Sequence, residues 1–191
     1  MKIVELLLNG EELDGIEAIS VVENPAIESD FVAFNSQEIK LAELDKEKRI
    51  LLGALLIPNK PIYRRNEEEE YYVFFSKDTV REASQLYLTK GNQNNTTLEH
   101  QNTLQGLSLV ETWIVEDKEK DKSAVYGLDV PVGTWMGAMK VNNDEIWNEY
   151  VKTGKVKGFS IEGYFSDKGA KAEMSEDEKL VEQLKQIIKD A

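Results

Sequence analysis

Few residues in this chain can do hydrolytic chemistry. Its 191 residues include no cysteine and one histidine, His100. Thiol nucleophiles, disulfides and thiolate-based zinc sites are therefore excluded. A nucleophile activated by imidazole must pair His100 with a serine or threonine. The most informative serine is Ser160, in the run GFSIEGYF at 158–165. Strand alternation puts Phe159, Ile161 and Phe165 on one face, and Ser160, Glu162 and Tyr164 on the other. If the aromatic face is core, Ser160 points into a groove or into solvent, and Gly158 and Gly163 leave room for close backbone or substrate approach. On spacing alone, an ordinary half-exposed strand serine explains the pattern better. A lone histidine at a strand end, beside a polar loop, is likewise more often structural than catalytic, although such loops are where catalytic side chains are placed.

A third, acidic group would orient the imidazole. Glu99, Glu111, Glu162 and Asp129 are the candidates. Glu99 adjoins His100 and is expected on the opposite face. Glu162 lies about 7 Å from Ser160 along the same face and could line the site. Glu111 sits in the apolar run GLSLVETWIVE at 106–116, where an unpaired carboxylate is costly. It is the preferred third member, with a solvent-facing pleat as the alternative. There is no glycine-rich phosphate loop, no HExxH and no calcium-loop spacing, so neither cofactor nor metal is expected.

The elements that must position these residues read as mostly strands. KIVELLL at 2–8 and IEAISVV at 16–22 flank the turn signals Asn9-Gly10 and Asp14-Gly15. FVAF at 31–34 is a short strand, 35–48 a polar connector, and the continuous apolar run RILLGALLIP at 49–58 a central strand. NKPIYRRNEEEE reads as a solvated hairpin tip before the strand YYVFF at 71–75. Ser76 caps a helix bearing Val80, Ala83, Leu86 and Tyr87, stopped by Gly91. TLEH at 97–100 ends a strand, QNTLQ is a loop, and 106–116, SAVYGLDV at 123–130 and GTWMGAMKV at 133–141 are further strands. Asn143 or Asp144 caps a second helix with Ile146, Trp147, Tyr150 and Val151 on one face, ended by Gly154. Beyond a polar linker at 166–174, a capping box of Ser175 and Glu178 opens an amphipathic helix striped by Leu180, Val181, Leu184, Ile187 and Ile188. That is roughly eight or nine strands against three helices, a β-rich α+β domain.

Composition bounds the function. A net charge of −13 argues against non-specific nucleic-acid binding and against anionic membranes. The N-terminus lacks a signal peptide's apolar region, and the apolar run at 51–58 is too short to span a bilayer. The expectation is a soluble protein made in the cytoplasm.

Taken in order, the segments LIPNKPIYRR, YYVFFS, GNQNNTTLEH, ETWIVEDKEKDKS, VPVGTWM and KTGKVKGFSIEGYF resemble the phage prohead (procapsid maturation) serine proteases, in particular a prophage serine protease branch. AISVVENPAIESDF also resembles the start of such proteins. The resemblance implies a herpesvirus-assemblin-like β-barrel with flanking helices. It divides the chain into a protease-like domain at 1–167, with N-terminal strands and connector at 1–48 and a catalytic core at 49–167, and a linker and C-terminal helix at 168–191. It implies a serine endopeptidase with Ser160 as nucleophile and His100 as general base. The expected substrates are the scaffold and major capsid proteins, and the protease itself, inside the assembling procapsid in the host cytoplasm. It fixes no acidic member and no oxyanion donors. The alternative is a catalytically inactive phage structural or scaffold-binding protein with the same fold. The C-terminal stripe could serve a homodimer, or dock on its own chain.

Overall fold

Strand periodicity becomes twelve short strands in the structure, a computed structural model that describes residues 2–10, 13–25, 32–34, 48–65 and 69–167. They are β1 (Lys2–Leu7), β2 (Gly15–Val22), β3 (Val32–Phe34), β4 (Ile50–Leu56), β5 (Ile62–Arg65), β6 (Glu70–Phe75), β7 (Thr96–Leu98), β8 (Asn102–Leu104), β9 (Leu107–Ile114), β10 (Trp135–Val141), β11 (Gly158–Tyr164) and β12 (Ser166–Asp167). The main helix α1 spans Lys77–Thr89, and α2 is the single turn Lys122–Val125. The fold is β-rich α+β. The described strands pair into three four-stranded sheets, β12-β1-β6-β5, β3-β4-β10-β9 and β11-β2-β7-β8, and these pairings close no barrel.

Each sheet follows from its residues. β4 is apolar along its length because it is covered on both faces and paired on both edges, by β3 and β10. α1 starts at Ser76, whose Oγ accepts from Thr79 N at 3.3 Å, and stops at Gly91, whose φ of 76° suits a residue without Cβ. Its buried stripe of Val80, Ala83 and Tyr87 packs on β2 and β10, with the Tyr87 ring edge-on to Trp135 at 5.5 Å. Asn143 Oδ1 accepts from Ile146 N at 3.0 Å and opens the π-helical turn Ile146–Val151, which buries Ile146, Trp147 and Val151.

Four segments differ from the sequence reading. β1 and β2 do not pair with each other: β1 lies parallel to β6, and β2 lies between β11 and β7. The segment before the glutamates holds β5, hairpinned onto β6. The stretch expected as a loop after His100 contains β8, paired with β7. Residues 123–130 contain no strand. There Asp121 Oδ1 accepts from Ser123 N at 2.8 Å and Trp113 Nε1 at 3.0 Å, which commits the chain to the α2 turn. Residues 35–47 of the expected connector at 35–48, the glutamate tip at 66–68 and the C-terminal helix lie outside the described residues.

Candidate active site

The third sheet brings the chemistry together. β11 pairs antiparallel with β2 so that Ser160 faces Ser20, and β2 pairs parallel with β7 so that Ser20 faces Thr97. Thr97 in turn faces Thr103 on β8. One rung therefore carries hydroxyls across all four strands, on the face opposite the apolar rung Phe159, Val21 and Leu98. Phe159 and Val21 are fully buried, and burial of such side chains is worth about 1.5–3 kcal/mol each. A one-residue slip of β11 would exchange Phe159 and Ser160 between faces, so this packing fixes where the serine points. Ser160 is 9% exposed, just reached by solvent, and its hydroxyl makes no hydrogen bond among the described residues.

Glu162 shares the Ser160 face, because the bulge in the β11–β2 pairing falls after it, between Glu162 and Gly163. At Gly163 the strands approach so closely that a Cβ would sit 2.1 Å from Gly15 O. Glycine is therefore required for backbone approach there. The Glu162 carboxylate accepts from Thr97 Oγ1 and lies 3.2 Å from His100 Nδ1.

His100 sits on the turn from β7 to β8, where Gln101 N donates to Leu98 O at 3.1 Å. The two central residues, Glu99 and His100, have φ of 51° and 58°. This is the left-handed region, which side chains with Cβ enter only at a cost of roughly 1–2 kcal/mol. The turn is held by bonds to β2 and the residue after it. Glu99 N donates to Val21 O at 3.2 Å, Glu23 N donates to Glu99 Oε1 at 2.6 Å, and His100 N donates to Ser20 Oγ at 3.0 Å. The strain is shared by Glu99 and His100 and is held by these partners. With Nδ1 facing Glu162, the ring's other nitrogen, Nε2, is left for a second partner.

The structure thus gathers Ser160, His100 and Glu162 on one sheet face, with no hydrogen bond joining Ser160 to His100. It does not bring Glu111 there. Glu111 is on β9 in another sheet, exposed, and its carboxylate is paired with Lys122 Nζ. Glu99 turns to β2, and Asp129 pairs with Lys118 at 2.7 Å. Two contributors escape sequence reading, Ser20 and Thr97. Ser20 is fully buried, and a lone hydroxyl inside IEAISVV was the available signal. Beside Ser160 the three sheets meet around a cavity of about 180 Å³, lined by Leu6, Leu55, Ile62, Phe75 and Phe165, with Arg64 at its rim.

Residues 38–168, more than half of the chain, match the family described as "Putative phage serine protease XkdF". The chain belongs to this family. The span shared with the family includes Ser160, His100, Glu162 and Arg64, together with the strands from β4 to β12. β2 precedes it, so the strand that lies between the serine and histidine strands comes from outside the matched segment. No curated protein and no solved structure matches the chain. Among the described residues, no helix is long and apolar enough to cross a membrane.

Proposed function

We propose that this member of the phage serine protease family is a capsid-maturation endopeptidase with Ser160 as nucleophile, His100 as general base and Glu162, rather than Glu111, as the acid that orients the imidazole. The observation that carries the reading is the Glu162–His100 contact on the face that bears Ser160. In the first step Ser160 Oγ bonds to the scissile carbonyl carbon while its proton passes to His100 Nε2 and the carbonyl π electrons move to oxygen. As the carbonyl re-forms, the C–N bond breaks and the leaving amine takes that proton. Water then attacks the acyl-serine, giving a proton to Nε2, and Ser160 recovers it as the ester C–O bond breaks. Glu162 holds the Nδ1–H tautomer throughout and stabilises the transient imidazolium, itself held by Thr97.

On this reading the substrates are the scaffold, the arms of the major capsid protein and the protease itself, cut inside the procapsid in the host cytoplasm. The domain boundaries and the assemblin-like arrangement expected from sequence belong to the same proposal. A second reading, an inactive structural or scaffold-binding protein, is favoured by the missing Ser160–His100 bond, although catalytic hydrogen bonds often tighten only with substrate. Co-expression with the neighbouring scaffold and capsid proteins tests both. Cleavage by the wild type, lost in Ser160→Ala and in His100→Ala, is expected. Cleavage persisting in both variants refutes the assignment, and intact proteins in every sample support the structural reading.

A further inference from the structure

Building on the serine-protease reading, we infer that the cavity beside Ser160 is a subsite for a medium-sized aliphatic side chain of the substrate polypeptide, and that Arg64 at its rim excludes lysine and arginine there. Three observations converge on this. β11 is the edge strand of its sheet, hydrogen-bonded only to β2 and lying close to β4, so its outer edge has no hydrogen-bonded strand partner among the described residues. An extended peptide laid along that edge would hydrogen-bond through its backbone and present alternate side chains to the protein.

Ser160 is one of the residues that line the cavity, so on the serine-protease reading a side chain entering it belongs to a residue near the bond being cut. Its lining combines aliphatic and aromatic side chains from all three sheets, Ile161 of β11 among them, with the polar residues Ser160 and Arg64. Its volume of about 180 Å³ accommodates a leucine, isoleucine or methionine side chain. Finally, the Arg64 guanidinium donates to the Tyr63 carbonyl at 3.0 Å and meets no carboxylate among the described residues, in a chain of net charge −13. A cation lining the slot repels a second cation, which is how a site rejects a basic side chain.

The probe is a pool of synthetic dodecapeptides of randomised sequence, digested by the full chain and read by mass spectrometry. Leucine, isoleucine and methionine are expected at one fixed position relative to the cut, about tenfold or more over alanine. Lysine and arginine are expected to be depleted there, and Arg64→Glu is expected to admit them. Arg64 is exposed on β5, so this variant is expected to fold. Cut sites without an aliphatic position, or a pattern unchanged by Arg64→Glu, overturn the subsite and leave hydrolysis standing.

If the wild type cuts nothing, a second measurement still decides. The Ser160→Ala protein is irradiated with a randomised peptide pool carrying photo-leucine. Labelling of Leu55, Ile62, Phe75 or Phe165 upholds the subsite while the hydrolytic reading falls. Labelling elsewhere, or none, overturns the subsite.

Discussion

Replacing His100 by glycine and, separately, by alanine should divide its chemical role from its structural cost. With φ at 58°, an alanine there keeps the left-handed strain of roughly 1–2 kcal/mol, and a glycine relieves it. Glycine's freer unfolded chain returns about 0.4–1 kcal/mol of that gain. Both variants lose the contact with Glu162, whose side chain is 30% exposed against 43% for His100. A pair this open to water is worth about 0–1 kcal/mol. Both keep the backbone bond to Ser20, which does not need the ring. His100→Gly should therefore unfold within about 1 kcal/mol of the wild type, and His100→Ala about 1 kcal/mol below His100→Gly, or some 2–4 °C in Tm for a chain of this size. Urea unfolding followed by circular dichroism, with matched slopes, measures this. Both variants should lack cleavage, so that His100→Gly is folded, as stable as wild type and inactive. An alanine variant equal to or more stable than the glycine variant would refute the strain argument.

Glu162→Gln should lower cleavage by at least about 100-fold with little change in KM, whereas Glu111→Gln, losing only an exposed pair with Lys122, should leave it within about twofold. The reverse order in a peptide assay would return the acidic role to Glu111. Tyr87 is fully buried, its phenol pKa is pushed up by that burial, and its hydroxyl has no partner among the described residues. Tyr87→Phe should thus be neutral or stabilising by up to about 1–3 kcal/mol, and a clear fall in Tm would contradict the missing bond. At Asp121, burial pushes the carboxyl pKa up, but bonds from the Ser123 amide and hydroxyl and from Trp113 outweigh it and hold the pKa below the ordinary value. Its contribution is present above the unfolded value of about 4 and is lost as pH falls through the lower folded value. Asp121→Asn should then flatten the acid limb of a stability–pH curve below about pH 4. An unchanged limb would contradict this.

What sequence reveals here is local. The apolar run of β4, the cap and stripe of α1 and the alternation of β11 are all short-range patterns, and all three elements form as those patterns predict. The expected strand at 123–130 fails because an aspartate cap outweighs weak alternation. The site divides in the same way. Alternation alone placed Glu162 beside Ser160, but nothing local joins either residue to His100. That connection runs through β2, which pairs with segments about eighty residues and more away, in parallel with β7 and antiparallel with β11. Glu111 was attractive because its strand is apolar, yet Lys122, brought back over Trp113 by the α2 turn, supplies its partner on an exposed face.

The central claim is that Ser160 is a nucleophile activated by His100. It is tested most directly by treating the folded protein with a fluorophosphonate and mapping the adduct by mass spectrometry. The account predicts one modified serine, Ser160, with labelling slowed at least about 100-fold in His100→Gly. Labelling that does not depend on His100, or that falls on a different serine, would contradict it.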